Sequence, residues 1–562
     1  MVTKEETKEQ FDTSALGNAI LTKLGNRVRK IVTLNGNELH VHLESKSTIP
    51  EACDFVCHEL KAKLATIICA DERQLCSAFT LRYVFEKSGE DDLFIVLTAM
   101  VGGTEGTTSE ELSFPSIALQ IPSAALYERE IKDMFGLLPV GNPDTRQLVL
   151  HEQWSKDIHP LRKDFAQETK VARVDGKYQF TKVEGEGVFE IPVGPVHAGI
   201  IEPGHFRFSV LGEYIINLET RLFYTHKGTE KLAESMKLDQ VLLLSERISG
   251  DEAVANSTAY CQALERIAKV KIPIRATQTR TICAEMERVY NHLGTLGGMA
   301  TDVGYSYGAA RLNILKERMM QLNEKVTGSR LLFGVNRIGG VGVELKEDKL
   351  LLIKGATSEV LQDFERVISA LRGTGSVIDR FQGTGIITRE VATDLGLVGI
   401  AARCVGVDVD TRRNHPYAAY GSLRPDVRYS TPLKRTENEV MLQKRRGDAL
   451  SRFDLRATEV RDSIGMMNEL IANLDGDGEL TVDIGGRLHP YEHAMGYAES
   501  HRGQTIHWVM IGEDCDSLFR YKVRTASFVN WLAIEQAVLK DIVADFPLVN
   551  KSLDLSYSGN DL

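Results

Sequence analysis

Residues 281–304 read TICAEMERVYNHLGTLGGMATDVG. Apolar side chains recur there at three- and four-residue spacing, the signature of a helix that buries one face. The pattern belongs to a longer amphipathic stretch over 279–326, and two more follow at 355–372 and 444–473. From about residue 191 to 562 the chain therefore reads as largely helical, with a last helix in NWLAIEQAVLKDIVADFP, 530–547.

Upstream the period changes. KIVTLNGNELHVHLE, 30–44, reads as a hairpin turning at Asn35-Gly36, with alternating residues on either side. CDFVCHELKAKL, 53–64, reads as an amphipathic helix, and LRYVFEKSGEDDLFIVLTAMV, 81–101, as two strands about a polar turn. The expectation is an α+β chain. Residues 1–165 form an α/β domain with a small mixed, mostly antiparallel sheet, and 166–190 a polar, glycine-punctuated connector. Residues 191–562 form a large, mainly α-helical domain.

Composition narrows the function classes. A chain of 562 residues exceeds one ordinary core. The formal charge of -11, with basic residues dispersed, gives nucleic-acid binding little support. No apolar run reaches the ~18 residues of a membrane helix, and the polar start MVTKEETKEQ is unlike a secretory signal. A cytoplasmic protein is expected. The eight cysteines contain no C-x-x-C pair, which argues against a structural zinc site or a cysteine-held iron–sulfur cluster in this chain. Phosphate-loop, dinucleotide and H-E-x-x-H motifs are missing. LDGDGEL starts like a calcium loop, but the twelfth position from Asp475 is Gly486.

One stretch has chemical shape without the matching ligands. LSERISGDEAVANSTAY, 244–260, has the outline of a metal-binding loop running into a helix, yet it lacks a soft sulfur donor.

Several segments explain that shape by resemblance. LYEREIKDMFGLLPVGNPDTRQLVLHEQWSKDIHPLRKDF, 126–165, resembles the C-type subunit of NADH–quinone oxidoreductase (complex I). THKGTEKLAE, the 281–304 stretch, VTGSRLLFGVNRIGGV, RRNHPYAAY, ESHRGQTIHW and RTASFVNWLAIEQAVLKDIVADFP resemble the D-type subunit of complex I and the hydrogenase large subunit. The chain is thus similar to a natural C/D fusion over about nine-tenths of its length. It looks most like the large subunit of formate-hydrogenlyase-type energy-converting [NiFe] hydrogenases.

The resemblance carries expectations for named residues. In the hydrogenases four thiolates hold nickel. Here Glu246-Arg247-Ile248-Ser249-Gly250-Asp251-Glu252 and DLSYSGNDL put Ser249, Glu252, Ser556 and Gly559 at those positions, so no metal is expected. Nickel-bearing precursors also carry a cleaved tail, which this chain, ending at Leu562, is expected not to have. Complex I instead binds a quinone headgroup in this cavity, through a tyrosine that would fall on Gly250 and a histidine that would fall on His197; His205 is at best a shifted stand-in. Arg247, Arg337, Glu499 and Arg502 are the remaining acceptor-pocket candidates.

Asp251 and Glu252 are expected to handle protons, as is Glu230 of Lys227-Gly228-Thr229-Glu230, where the family has arginine at the Lys227 position. Blander roles compete. Asp251 would cap the next helix, Glu230 would pair with a neighbouring lysine, Glu499 would bridge Arg502, and His292 would be a satisfied core histidine. The charged cluster Glu128, Arg129, Glu130, Asp133, Arg162, Lys163 and Asp164 would be mostly interface.

The implied function is that of the large subunit of a membrane-attached respiratory oxidoreductase on the cytoplasmic face of the inner membrane. Electrons would arrive from iron–sulfur clusters in partners: a small [4Fe–4S] subunit, a ferredoxin-like subunit and antiporter-like membrane-arm subunits. This chain would bind no cofactor itself. A quinone is a possible acceptor, with NAD(H) reached only through partners, and the reaction would be coupled to proton or sodium movement. The alternatives are a redox-inactive coupling subunit and an atypical [NiFe] hydrogenase.

Overall fold

The structure is a computed structural model describing residues 14–88, 92–102, 112–197, 201–423, 446–474 and 478–562. The MVTKEETKEQ start and residues 475–477 of LDGDGEL lie outside the described residues. The chain divides into two units, Met1–Gln179 and Phe180–Leu562.

In the first unit β1 (Val28–Leu34), β2 (Glu38–Leu43), β3 (Lys63–Asp71), β4 (Phe79–Lys87) and β5 (Leu93–Val101) form one sheet, ordered β1-β2-β5-β4-β3. Every pairing is antiparallel except β2 with β5. Asn35 and Gly36 both take positive φ, 52° and 83°, which gives a two-residue turn the twist of its strands. The expected helix over 53–64 is cut short. It runs Ile49–Asp54, widens into a π-turn at Phe55–Glu59, and yields to β3 by Lys63, because Lys61 turns the chain at φ 57°.

Helix α1 (Ala125–Phe135) corrects the interface reading for four of the seven residues of the charged cluster, while the Asp164 side chain stays exposed. Glu128, Arg129, Glu130 and Asp133 are buried inside this unit. Glu128 accepts from Ile117 N and Asn142 Nδ2, both at 2.8 Å, and Asp133 accepts from the backbone N–H of Leu148, Val149 and Leu150. They hold a loop whose own backbone would otherwise lack partners.

The second unit is built on α2 (Ala253–Ile267), α3 (Ile274–Asp302), α4 (Ser306–Thr327), α5 (Glu347–Arg372) and α6 (Ala449–Ala472). The apolar faces of α3 to α6 share one core, with Ile282, Met286, Leu293, Leu315, Met319, Phe364 and Phe453 buried together, while α2 buries Tyr260, Leu264 and Ile267 in a second core. The single stretch expected over 279–326 is two helices, separated where Gly304 takes φ 73°. Strands β6 (Val188–Val193), β7 (His205–Leu211) and β8 (Tyr214–Arg221) make a second sheet, so residues 188–190 pair in β6 rather than serve as connector.

A third sheet, β9 (His493–Glu499), β10 (Gln504–Ile511) and β11 (Leu518–Arg524), lies against α2. Contact is so close that a Cβ on Gly496 would stand 1.8 Å from the Ala259 carbonyl oxygen. The last expected helix is also interrupted. α7 (Ala526–Ala537) ends before Lys540, whose N–H donates to Ile215 O at 2.9 Å, and α8 (Phe546–Leu553) and α9 (Tyr557–Asp561) follow.

Candidate functional site

Three turns meet at the head of α2. In the first, Glu252 N donates to Ser249 O at 2.9 Å, closing a β-turn over Ser249–Glu252. In the second, Ser556 Oγ accepts Gly559 N at 2.9 Å and so caps the short α9. The third is the hairpin between β9 and β10. Glu499 pairs with Gln504, Ser500 and Gly503 exchange both backbone hydrogen bonds, and His501-Arg502 forms the two-residue tip. Gly503 has φ +140°, and a Cβ on Gly399 would stand 2.0 Å from Arg502 O, so glycine at both positions lets the tip reach inward.

The turns are joined through side chains. Ser249 Oγ donates to Asp251 Oδ1 at 2.6 Å and lies 2.9 Å from Ser556 Oγ, 307 residues away in sequence. Arg502 grips Asp251 through two nitrogens, at 3.1 and 2.7 Å. Its Nη1 is 3.4 Å from Glu252, and its Nε donates to the Asp554 carbonyl. His501, 1% exposed, stands 4.0 Å from Glu252 and 3.6 Å from Asp554. Asp554 is held by Lys551 and by the Thr295 hydroxyl.

Electrostatics separates the two adjacent carboxylates. Burial alone would raise the Asp251 pKa, but Arg502 and the Ser249 hydroxyl hold it well below the ordinary value. Burial raises Glu252, with Asp251 adding to the effect against the pull of Arg502. Burial and the Arg502 charge push the His501 imidazole down to about 4, so it is neutral at pH 7.

The nickel positions of the resemblance are thereby tested as a donor set. Ser249 spends its hydroxyl on Asp251. A Cβ on Gly559 would meet Ser556 Oγ at 3.0 Å and Ser249 Cβ at 3.5 Å, so Ser249, Ser556 and Gly559 do converge. Two hydroxyls, one carboxylate and a glycine do not fit a soft metal. Among the described residues no group of three or more His, Cys, Asp or Glu could hold a metal ion.

Other expected residues fall elsewhere. Arg247 points outward, exposed, with its guanidinium 5.1 Å from the centre of the Phe333 ring. A Cβ on Gly250 would face that same ring, at 3.9 Å. Arg337 is exposed on a short hairpin. His197 is tied to Gly204 O at 2.7 Å and His205 to Gly194 O at 3.2 Å, which closes that loop on itself; its residues 198–200 lie outside the described residues.

Glu230 pairs with Arg520 at 2.8 Å and Lys522 at 3.3 Å, both from β11 rather than from a neighbouring helix position. Burial opposes its ionisation, but those two cations outweigh burial and hold its pKa below the ordinary value. Glu499 bridges Arg403 at 2.7 Å, not Arg502. The cap of α2 is not Asp251 but Glu287, which accepts Val254 N and Ala255 N at 2.7 and 3.1 Å. His292 is buried and bonded to Glu459 at 2.7 Å.

Sequence reasoning singles out neither His501 nor Asp554. Each sits inside a quoted motif, one residue before Arg502 and two before Ser556, and only the three-turn junction gives them their place.

A helical core flanked by small sheets thus carries a site assembled from residues 249–252 and 499–559. The family signature of the respiratory-chain NADH dehydrogenase 49 kDa subunit matches residues 302–490, and that of the 30 kDa subunit residues 43–171. Hydrogenase-4 component G of Escherichia coli (strain K12) is 34% identical over 518 residues, covering 91% of this chain and 86% of that protein. Formate hydrogenlyase subunit 5 of the same organism is 33% identical, with 91% and 87% coverage. The C/D subunit of NADH-quinone oxidoreductase from Phocaeicola vulgatus is 29% identical over 67% of this chain and 73% of that one. The chain belongs to the family of fused C/D-type large subunits that joins hydrogenase-4 and formate hydrogenlyase to NADH–quinone oxidoreductase. No helix among the described residues is long and apolar enough to cross a membrane.

Proposed function

We propose that this chain is the large subunit of a multisubunit, membrane-attached respiratory oxidoreductase that works without nickel at this site. Iron–sulfur clusters in partner subunits, the nearest in a small [4Fe–4S] subunit, deliver electrons to a quinone or another small acceptor. Antiporter-like membrane partners couple the reaction to proton or sodium movement. The observation that carries this reading is the junction of Ser249, Asp251, Glu252, His501, Arg502 and Ser556. It gathers a polar, ionisable centre from three turns far apart in sequence.

The chemistry available to these side chains is positional and protonic. Arg502 supplies a fixed cation beside an acceptor oxygen that gains negative charge on reduction. Glu252, with its raised pKa, is the carboxyl best placed to exchange a proton. One feature favours the alternative of a redox-inactive coupling subunit: Asp251, Arg502 and Ser249 already satisfy one another.

Electron flux through the purified complex separates the two. With dithionite-reduced clusters and a short-chain quinone, Glu252→Gln is expected to slow turnover by at least tenfold, in line with the ~10²–10⁴ contribution of a positioned acid–base group. A coupling subunit would show the same flux in both forms.

A further inference from the structure

Two neighbouring cavities share part of their walls beside the site. The outer one, about 160 Å³, is walled by residues that include Gln262, Arg266, Val270, Ile272 and Thr277, all partly exposed, so it reaches the surface. The inner one, about 10 Å³, has Glu287, Glu499, Ser500 and His501 among its lining residues. Thr258, Arg280, Tyr417 and Ala418 line both. The four shared residues thus stand between a cavity at the surface and one that His501 lines, and His501 lies 4.0 Å from Glu252 and beside Arg502 at the hairpin tip.

The chemistry of those walls fits water. The inner volume is at the lower limit for holding one water molecule, about 10–15 Å³. It is far below what a quinone ring needs. Neither ring nitrogen of His501 has a protein partner at ordinary hydrogen-bond length: the nearest carboxylates, Asp554 and Glu252, stand 3.6 and 4.0 Å away, which leaves the buried imidazole open to a water. The neck is rigid. Arg280 is clamped to Glu265 through two bonds, at 3.0 and 2.6 Å, and the Tyr417 hydroxyl accepts Glu499 N at 2.9 Å. Ala418, exposed and at φ 47°, sets the remaining wall with only a methyl group.

We infer that Thr258, Arg280, Tyr417 and Ala418 form the neck of a single-file water passage from the surface to His501, supplying protons to the acceptor site. This rests on the proposed function for its purpose and on the cavities for its existence. A two-electron reduction of a quinone to a quinol takes up two protons. The electrons come from the partner clusters, and the protons enter as water-borne protons along this path.

The test uses the purified complex and two readouts. Pulsed hydroxyl-radical labelling reports water beside a side chain, and turnover is measured with dithionite and a short-chain quinone. Labelling of His501 is expected despite its burial. Ala418→Phe and Thr258→Leu, which enlarge two different residues lining the neck, should each cut that labelling and the turnover by several-fold, while Ala418→Gly leaves labelling intact. Circular dichroism and complex assembly show which variants have folded, and having both blocking variants guards against the loss of one.

Unlabelled His501 in the parent complex overturns the passage. Reduced labelling with undiminished turnover overturns its role in proton supply. No turnover in the parent complex, with His501 labelled, refutes the acceptor reading and leaves the water path standing.

Discussion

Replacing Arg502 by methionine removes the one cation shared by Asp251 and Glu252 while keeping most of the side-chain volume. Removing one partner of a fully buried ion pair costs about 3–5 kcal/mol. Arg502 is 6% exposed and Glu252 3%, but the Asp251 side chain retains 36% of its surface. Solvent screening there brings the expected loss down to about 2–3 kcal/mol.

The same geometry predicts how the loss is shared. Asp251→Asn keeps an acceptor for Arg502 and for the Ser249 hydroxyl, so alone it should cost only about 1 kcal/mol. In the Asp251→Asn/Arg502→Met double variant one stranded charge is gone. The combined loss should then fall short of the sum by about 1–2 kcal/mol, as for groups in direct contact. Urea unfolding of the four proteins at pH 7 and low salt measures this cycle. Additive losses, or an Arg502→Met variant as stable as the parent, would refute the claim that Arg502 holds the junction together.

Other consequences follow from single contacts. Because burial raises the folded pKa of Glu252, its contribution to stability is present below the unfolded carboxylate value and lost as pH rises through the folded one. Glu252→Gln should therefore melt higher than the parent at pH 7, with the two curves converging below about pH 4. Burial likewise brings Asp133 up to about 6 despite its three backbone donors, so the parent loses stability between pH 4 and 6 and Asp133→Asn flattens that slope. Tyr521→Phe strands His507 Nδ1, which now lies 2.7 Å from the tyrosine hydroxyl, and should cost about 1–3 kcal/mol in urea unfolding. Gly496→Ala drives a methyl into the Ala259 carbonyl and should cost at least 1–3 kcal/mol, roughly the penalty for overpacking.

Much of this architecture is legible from residue patterns. The Asn35-Gly36 hairpin and the strands at 81–101 follow from local turn chemistry and period, because both are set by neighbours in sequence. Helical faces in 279–326, 355–372 and, within the expected 444–473 (of which 444–445 lie outside the described residues), 449–472 are readable for the same reason, whereas the break at Gly304 is not. A helical period on both sides hides a one-residue change of φ.

The site is harder. Ser249, Glu252, Ser556 and Gly559 can be set side by side only through the family resemblance, since no local rule links residues 307 positions apart. Glu499 and Arg502 sit close in sequence, but the hairpin turns between them, sending Glu499 to Arg403 and Arg502 to Asp251. The acidic cluster of 128–133 reads as interface because its charges look solvated in sequence. The backbone N–H groups it serves belong to a loop whose path only the folded unit reveals. His501 escapes notice because its role comes from two carboxylates remote in sequence, Glu252 of the first turn and Asp554 just ahead of the second.

The most direct test of the central claim is a count of nickel and iron per copy of this chain in the purified complex. An arginine–carboxylate junction in place of a thiolate-held metal predicts iron from the partner clusters and no stoichiometric nickel, both as purified and after incubation with nickel. One nickel per chain would contradict that account and restore a hydrogenase centre built on ligands other than cysteine.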